Sequence, residues 1–380
     1  MNGVTGVLGQ PWRADVTTHG ALEPWDGSPP LDWHVAADDR WHSPASEVAV
    51  RQQRLLGAPV FETRLRVPGG DAVHRLWSVP DHGGLTIVDV ENDSPLPIAC
   101  ALTRDDLRTT RPPADVAVVG IELPPTTSVL PIGHRASARV ALAHAGRADG
   151  RLPDDLPSAD AVARGWVAAS ERASRLDLPS AVLQEAVVTA RCELLLAGPP
   201  DRAEDPAGYL LGIGELVRLR EAVGDVVADV ASTVEELARV PGWEADAALA
   251  AAARVLAVAG EGRAVADLAR IIDRRMAAQP PQATADGVRA VAAVEGRLLR
   301  GGVLFPDGYP PEWRGADLEA HGLPAGPETT VSFAVRWHGQ HPAVLWQVEG
   351  RPVVLSAPAV DPSWRAEGSS GEALWRTAIS

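Results

Sequence analysis

Between Ser158 and Gly302 the chain is rich in alanine and leucine and carries almost no strand signal, and this block limits the fold more than any other stretch. Its apolar residues recur at helical spacing, which predicts seven helices at 159–175, 180–197, 206–222, 225–239, 244–259, 263–278 and 285–300. Asp205-Pro206 pairs an N-cap with proline at the first helical position. Gly260 and Gly301 stand where a helix C-terminus favours glycine. The segment AVLQEAVVTARCELLLAG is apolar on most sides, so it is expected to pack on both faces. Short connections predict antiparallel helical hairpins between neighbours. No clear self-similarity at 30–45 residues is present, which argues against a solenoid.

The flanking segments follow a different period. From Pro59 the side chains alternate: Phe61, Thr63, Leu65 and Val67 on one side, Glu62, Arg64 and Arg66 on the other. Similar short runs follow, divided by turns at Pro68–Asp71, Asp81–Gly84 and Asn92–Pro95. This spacing predicts an antiparallel β-sandwich over residues 1–150, joined by a polar linker at 147–157 to the helical array at 158–302. A β segment at 303–380 completes the chain, with VSFAVRW and AVLWQV joined through a turn at Gly339-Gln340. A lone hairpin is marginal, so this segment is expected to add to the N-terminal sandwich. The fold class is multidomain β + α.

Charge and motifs exclude several functions. The net charge of −15 argues against nucleic-acid binding and against docking on an anionic membrane. All basic residues except histidine are arginine, so neither a P-loop lysine nor a Schiff-base lysine is available. Cys100 and Cys192 lie too far apart in sequence to suggest a disulfide framework or a zinc site. The N-terminus lacks the pattern of a signal peptide, and no apolar run reaches membrane-spanning length. The reading is a soluble cytoplasmic protein with no metal and no cofactor.

The candidate functional residues are acids and tryptophans. Glu193 and Glu215 lie on largely apolar helices and are the candidate catalytic pair. The competing structural reading is an ion pair, since Glu215 and Arg218 are three apart on one helix face and Arg191 can reach nearby acids. Ten of the twelve tryptophans lie outside the helical block. Indole faces stack on sugar rings, which makes Trp12, Trp33 and Trp41 candidate carbohydrate platforms. Arg336 and His338, opposite the core face of their strand, are candidate ligand contacts. Trp337 belongs with Val331, Phe333 and Val335 as core.

Two phrases, GW…RLDLPSAVLQEAVVTARCELLL at 165–196 and VSFAVRWHGQHPAVLW at 331–346, resemble bacterial glycoside hydrolases. Those proteins set an N-terminal β-sandwich before an (α/α)6 six-hairpin toroid. The resemblance implies carbohydrate as partner and, if the protein is active, metal-independent hydrolysis by a Glu/Asp pair. A closed toroid uses twelve helices, so seven imply an incomplete α/α toroid-like array. That shortening implies either a non-catalytic relative or a cleft completed in a homo-oligomer. The alternative function is a non-catalytic scaffold or protein-interaction module that presents the helical array to a partner.

Overall fold

The computed structural model of the protein describes residues 3–145, 151–275, 285–339 and 341–376. Gln340 of the expected turn, residues 146–150 around the expected linker and residues 276–278 of the sixth expected helix lie outside them. The chain is a multidomain β + α protein with two compact units, Met1–Val167 and Ala168–Ser380.

The first unit is built on a six-stranded antiparallel sheet. Its strands are β1 (Val50–Arg54), β2 (Phe61–Val67), β3 (Gly70–Val79), β4 (Leu85–Asn92), β5 (Leu107–Thr109) and β6 (Ser137–Ala143). They lie in the order β5-β6-β4-β3-β2-β1. A four-stranded sheet of Trp33–Ala36, Trp41–His42, Ile98–Leu102 and Ser128–Ile132 shares its core. Phe61, Leu65, Leu76 and Val88 of the larger sheet pack with Val35, Cys100, Leu102 and Ile132 of the smaller. The period-two alternation therefore sends one face of β2 into the sandwich and leaves its charged residues on the opposite face.

The second unit holds α2 to α7, and α1 (Ala159–Ser170) runs across the division between the units. The others are α2 (Ala181–Ala197), α3 (Pro206–Arg218), α4 (Val227–Leu237), α5 (Trp243–Val258), α6 (Gly262–Arg274) and α7 (Gly287–Leu298). Among the described residues these seven match the expected elements. Their packing follows the sequence order only in part. α4 and α6 contact α5, as short connections require, but the closest pairs skip neighbours: α3 lies on α5 and α2 on α7. Small residues allow the first approach. A Cβ built on Gly214 would lie 2.7 Å from the Cβ of Ala251.

The C-terminal strands complete this unit. β7 (Arg175–Asp177), β8 (Leu318–Gly326), β9 (Thr329–His338), β10 (His341–Gly350) and β11 (Ser370–Leu374) form one antiparallel sheet in that order. Val331, Phe333 and Val335 are buried with Val187 and Ala190 of α2 and Val291, Val294 and Leu298 of α7. Trp337 packs against this core as expected, and its indole N–H donates to the Tyr309 hydroxyl at 3.3 Å. These strands form a sheet of their own within the second unit, where α2 and α7 supply the apolar surface that the sheet needs.

Candidate functional site

The candidate catalytic residue Glu215 is held in a buried ion network. Two good caps set up the helices that carry it. Ser180 accepts from the Leu183 N–H at the start of α2, and Asp205 accepts from the Gly208 N–H at the start of α3, with Pro206 next to it. Arg191 of α2, 1% exposed, donates from Nε to Glu215 Oε1 at 2.7 Å and from Nη2 to Glu295 Oε1 of α7 at 2.8 Å. Arg218, one helical turn after Glu215, donates to Glu215 Oε2 at 2.6 Å and to both oxygens of Glu295 at 2.7 and 2.8 Å. The Ser174 hydroxyl donates to Glu295 Oε1 at 2.6 Å, and the Ser170 and Ser174 carbonyls accept from Arg191.

Charge balance in the network opposes proton transfer. Burial alone would raise the Glu295 pKa, but the Arg218 and Arg191 guanidiniums outweigh it and push the carboxyl down to about 2. Arg254 of α5, close enough for Arg218 to oppose its charge, is pushed down to about 10, mainly by burial. The ion-pair reading of Glu215 and Arg218 is thus what the structure contains. Glu193 is half-buried on α2 and lies two residues from Arg191, on a different side of the helix.

The candidate sugar platforms are also occupied. Trp12 is stacked on His144 with ring centroids 3.9 Å apart, and Trp33, 2% exposed, is stacked on His74 at 4.6 Å. The Trp33 N–H donates to the His19 carbonyl, and that of Trp41 to the Val119 carbonyl, each at 2.9 Å. Trp41 keeps part of its surface exposed, while Trp12 and Trp33 serve as core. Arg336 forms ion pairs with Glu319 and Asp317, and His338 is exposed at the end of β9. Trp12, Trp33 and Trp41 belong to the first unit, and Arg336 and His338 to the second.

A different constellation lies on the charged face of the six-stranded sheet. Register aligns Gln53, Glu62, Arg75, Asp89 and Arg139 in one row across β1, β2, β3, β4 and β6. Charges of opposite sign therefore alternate from strand to strand. Arg75 Nε donates to Glu62 Oε2 at 2.8 Å, and Arg64 Nε to Glu62 Oε1 at 2.9 Å. Arg139 donates from Nε and Nη2 to Asp89 Oδ2 at 2.9 and 2.5 Å. Burial pushes the Glu62 carboxyl up, but Arg75 and Arg64 together bring it below its ordinary value.

A cavity of about 330 Å³ opens along this row, lined by Glu62, Arg75, Trp77, Asp89, Arg139 and the 158–160 segment at the start of α1. Trp77 fixes that segment in place: its indole N–H donates to the Pro157 carbonyl at 3.1 Å, and the Arg139 guanidinium lies 5.5 Å from the ring centroid. The Ser158 hydroxyl caps α1 by accepting from the Ala161 N–H. Asp89 is 8% exposed, and its Oδ1 is buried without a hydrogen-bond partner among the described residues. An unpaired buried carboxylate oxygen is costly to the fold.

No protein-family model matches this chain, and no curated protein matches it. Among the described residues, no helix is long and apolar enough to cross a membrane, and no group of three His, Cys, Asp or Glu side chains could hold a metal ion.

Proposed function

We propose that this protein binds carbohydrate in the cavity of its N-terminal sheet without cleaving it, as a cytoplasmic, glycoside-hydrolase-like protein put to non-catalytic use. One observation carries the reading: the alternating row of Glu62, Arg75, Asp89 and Arg139 lines a cavity together with the 158–160 segment. A volume of about 330 Å³ lies within the range of small-molecule sites, and fixed polar groups in an orderly array provide orientation and specificity. Planar guanidinium and carboxylate edges suit a ring that presents several hydroxyls.

The non-catalytic half of the reading rests on charge. Glycoside hydrolysis needs a carboxylic acid whose pKa is raised so that it holds a proton for the leaving group. Glu62 lies below its ordinary value, and both oxygens of Glu215 accept from arginine. Neither side chain is placed to act as that acid.

The test is a glycan array and a panel of chromogenic glycosides, run with the wild-type protein and with Arg139→Ala. Binding of a glycan subset, weakened at least about tenfold in Arg139→Ala and with no turnover, supports the reading. Failure to bind any glycan refutes it and favours the scaffold alternative.

A further inference from the structure

Two carboxylates meet on the ring of His42. This residue ends the edge strand Trp41–His42 of the four-stranded sheet, opposite Val35, and is 4% exposed. Its Nε2 lies 2.9 Å from Asp39 Oδ1, in the turn before the strand. Its Nδ1 lies 3.1 Å from Glu47 Oε1, just past the short helical turn Pro44–Ser46. The ring therefore ties together the turns on either side of it. Arg40 donates to Glu47 Oε1 at 2.6 Å and to the Trp41 carbonyl at 3.0 Å. His34, on the paired strand, is turned to the Ser43 hydroxyl at 2.9 Å.

Both carboxylates are acceptors here. The hydrogen bond from His42 holds Asp39 below its ordinary value, and Arg40, more than His42, does the same for Glu47. An ionised carboxylate only accepts, so each ring nitrogen has to donate in order to keep its contact. A neutral imidazole has one N–H, and its other nitrogen would turn a lone pair on a carboxylate. Only the imidazolium serves both partners. Charge agrees with this count. With the ring protonated, His42 and Arg40 balance Asp39 and Glu47; without that proton the group carries a surplus negative charge.

We propose that Asp39, His42 and Glu47 form a pH-sensitive clasp, which holds the loop from Asp39 to Glu47 while the ring carries both protons and releases it when one is lost. Histidine is the side chain whose charge ordinarily changes between about pH 5 and 8, so such a clasp works around neutrality. What it controls is Trp41, the neighbour of His42 on the edge strand. The Trp41 indole N–H donates to the Val119 carbonyl at 2.9 Å, and the side chain is partly exposed. Release of the strand therefore loosens the tie between Trp41 and the Val119 segment. The proposal is independent of the carbohydrate reading, since none of these residues lines the cavity on the six-stranded sheet.

The test is hydrogen exchange of the loop from Asp39 to Glu47, read by mass spectrometry at about pH 5.5 and about pH 8.5 and corrected for the chemical pH dependence of exchange. Protection of the loop, relative to the central strand Ile98–Leu102 of the same sheet, is expected to be at least about tenfold lower at the higher pH. His42→Gln offers one amide nitrogen to two carboxylates and has no proton to lose, so its loop should be weakly protected at both pH values. Asp39→Asn changes a side chain that is 45% exposed and should have the opposite effect. Its amide can donate to the free nitrogen of a neutral ring while the other ring nitrogen donates to Glu47, so the loop should stay protected at the higher pH. Equal protection of the wild-type loop at the two pH values overturns the proposal. So does a wild-type pH response that persists in His42→Gln or in Asp39→Asn.

Discussion

Replacing Glu295 by Gln tests whether the network around Glu215 is structural. Glu295 is 5% exposed and accepts from the Ser174 hydroxyl, from Arg191 and twice from Arg218, at 2.6–2.8 Å. The amide keeps the shape and removes the charge. It also turns an N–H₂ group toward guanidiniums that have only donors, so Arg191 and Arg218 are left with Glu215 as their one carboxylate. Removing one member of a buried ion pair costs about 3–5 kcal/mol, because the remaining charge stays buried and uncompensated. Whole-domain stability is about 5–15 kcal/mol, so this loss brings the helical unit close to its limit. Urea unfolding followed by far-ultraviolet circular dichroism reports mainly on those helices. The control is Glu244→Gln, whose carboxylate pairs with Arg289 at 3.0 Å but is 45% exposed, where about 0–1 kcal/mol is expected. A Glu295→Gln loss below about 1 kcal/mol, no larger than the control, would refute the reasoning.

Further predictions follow from pH and packing. Burial pushes the His74 pKa from its ordinary 6.5 down to about 3, and burial with help from Arg13 pushes that of His144 down to about 4. The unfolded chain therefore takes up protons below pH 6.5 that the folded N-terminal unit refuses, and that unit weakens as pH falls from 6.5. The contribution of Glu295 is complete above 4.5 and disappears as pH falls toward about 2, so the helical unit weakens later. Melting temperatures across this range should fall in that order, and His74→Phe, which keeps a ring against Trp33, should flatten the earlier decline; a steepest loss above neutrality would contradict both. Gly214→Val should cost about 1–3 kcal/mol in the same urea assay, since a Cβ there meets Ala251 at 2.7 Å; an unchanged midpoint would show that α3 and α5 are farther apart.

Local signals in the chain were readable, and long-range register was not. The helical period and the Asp205-Pro206 start placed α3 in the right region, and the spacing of Glu215 and Arg218 already implied their pair. Glu295 joins them from α7, which no spacing rule connects to α3. The alternation in β2 likewise put Glu62 and Arg64 on one face. The row from Glu62 to Arg139 depends on three successive strand pairings, and a one-residue slip in any of them would send the charge to the core. One usable signal was present, since Arg139 interrupts an otherwise apolar or small-residue strand. The tryptophans misled for a related reason. The sequence around Trp12 and Trp33 is polar and lacks a clear period, yet Trp33 begins a strand, and distant histidines, His144 and His74, cover the two indole faces.

The central claim is that the helical acids hold the fold together while the N-terminal cavity binds sugar intact. It is tested most directly by measuring reducing-end release, over a long incubation, from whichever oligosaccharide the wild-type protein binds. The account predicts full recovery of intact oligosaccharide. Release of product that disappears in a folded Glu215→Gln variant would contradict it.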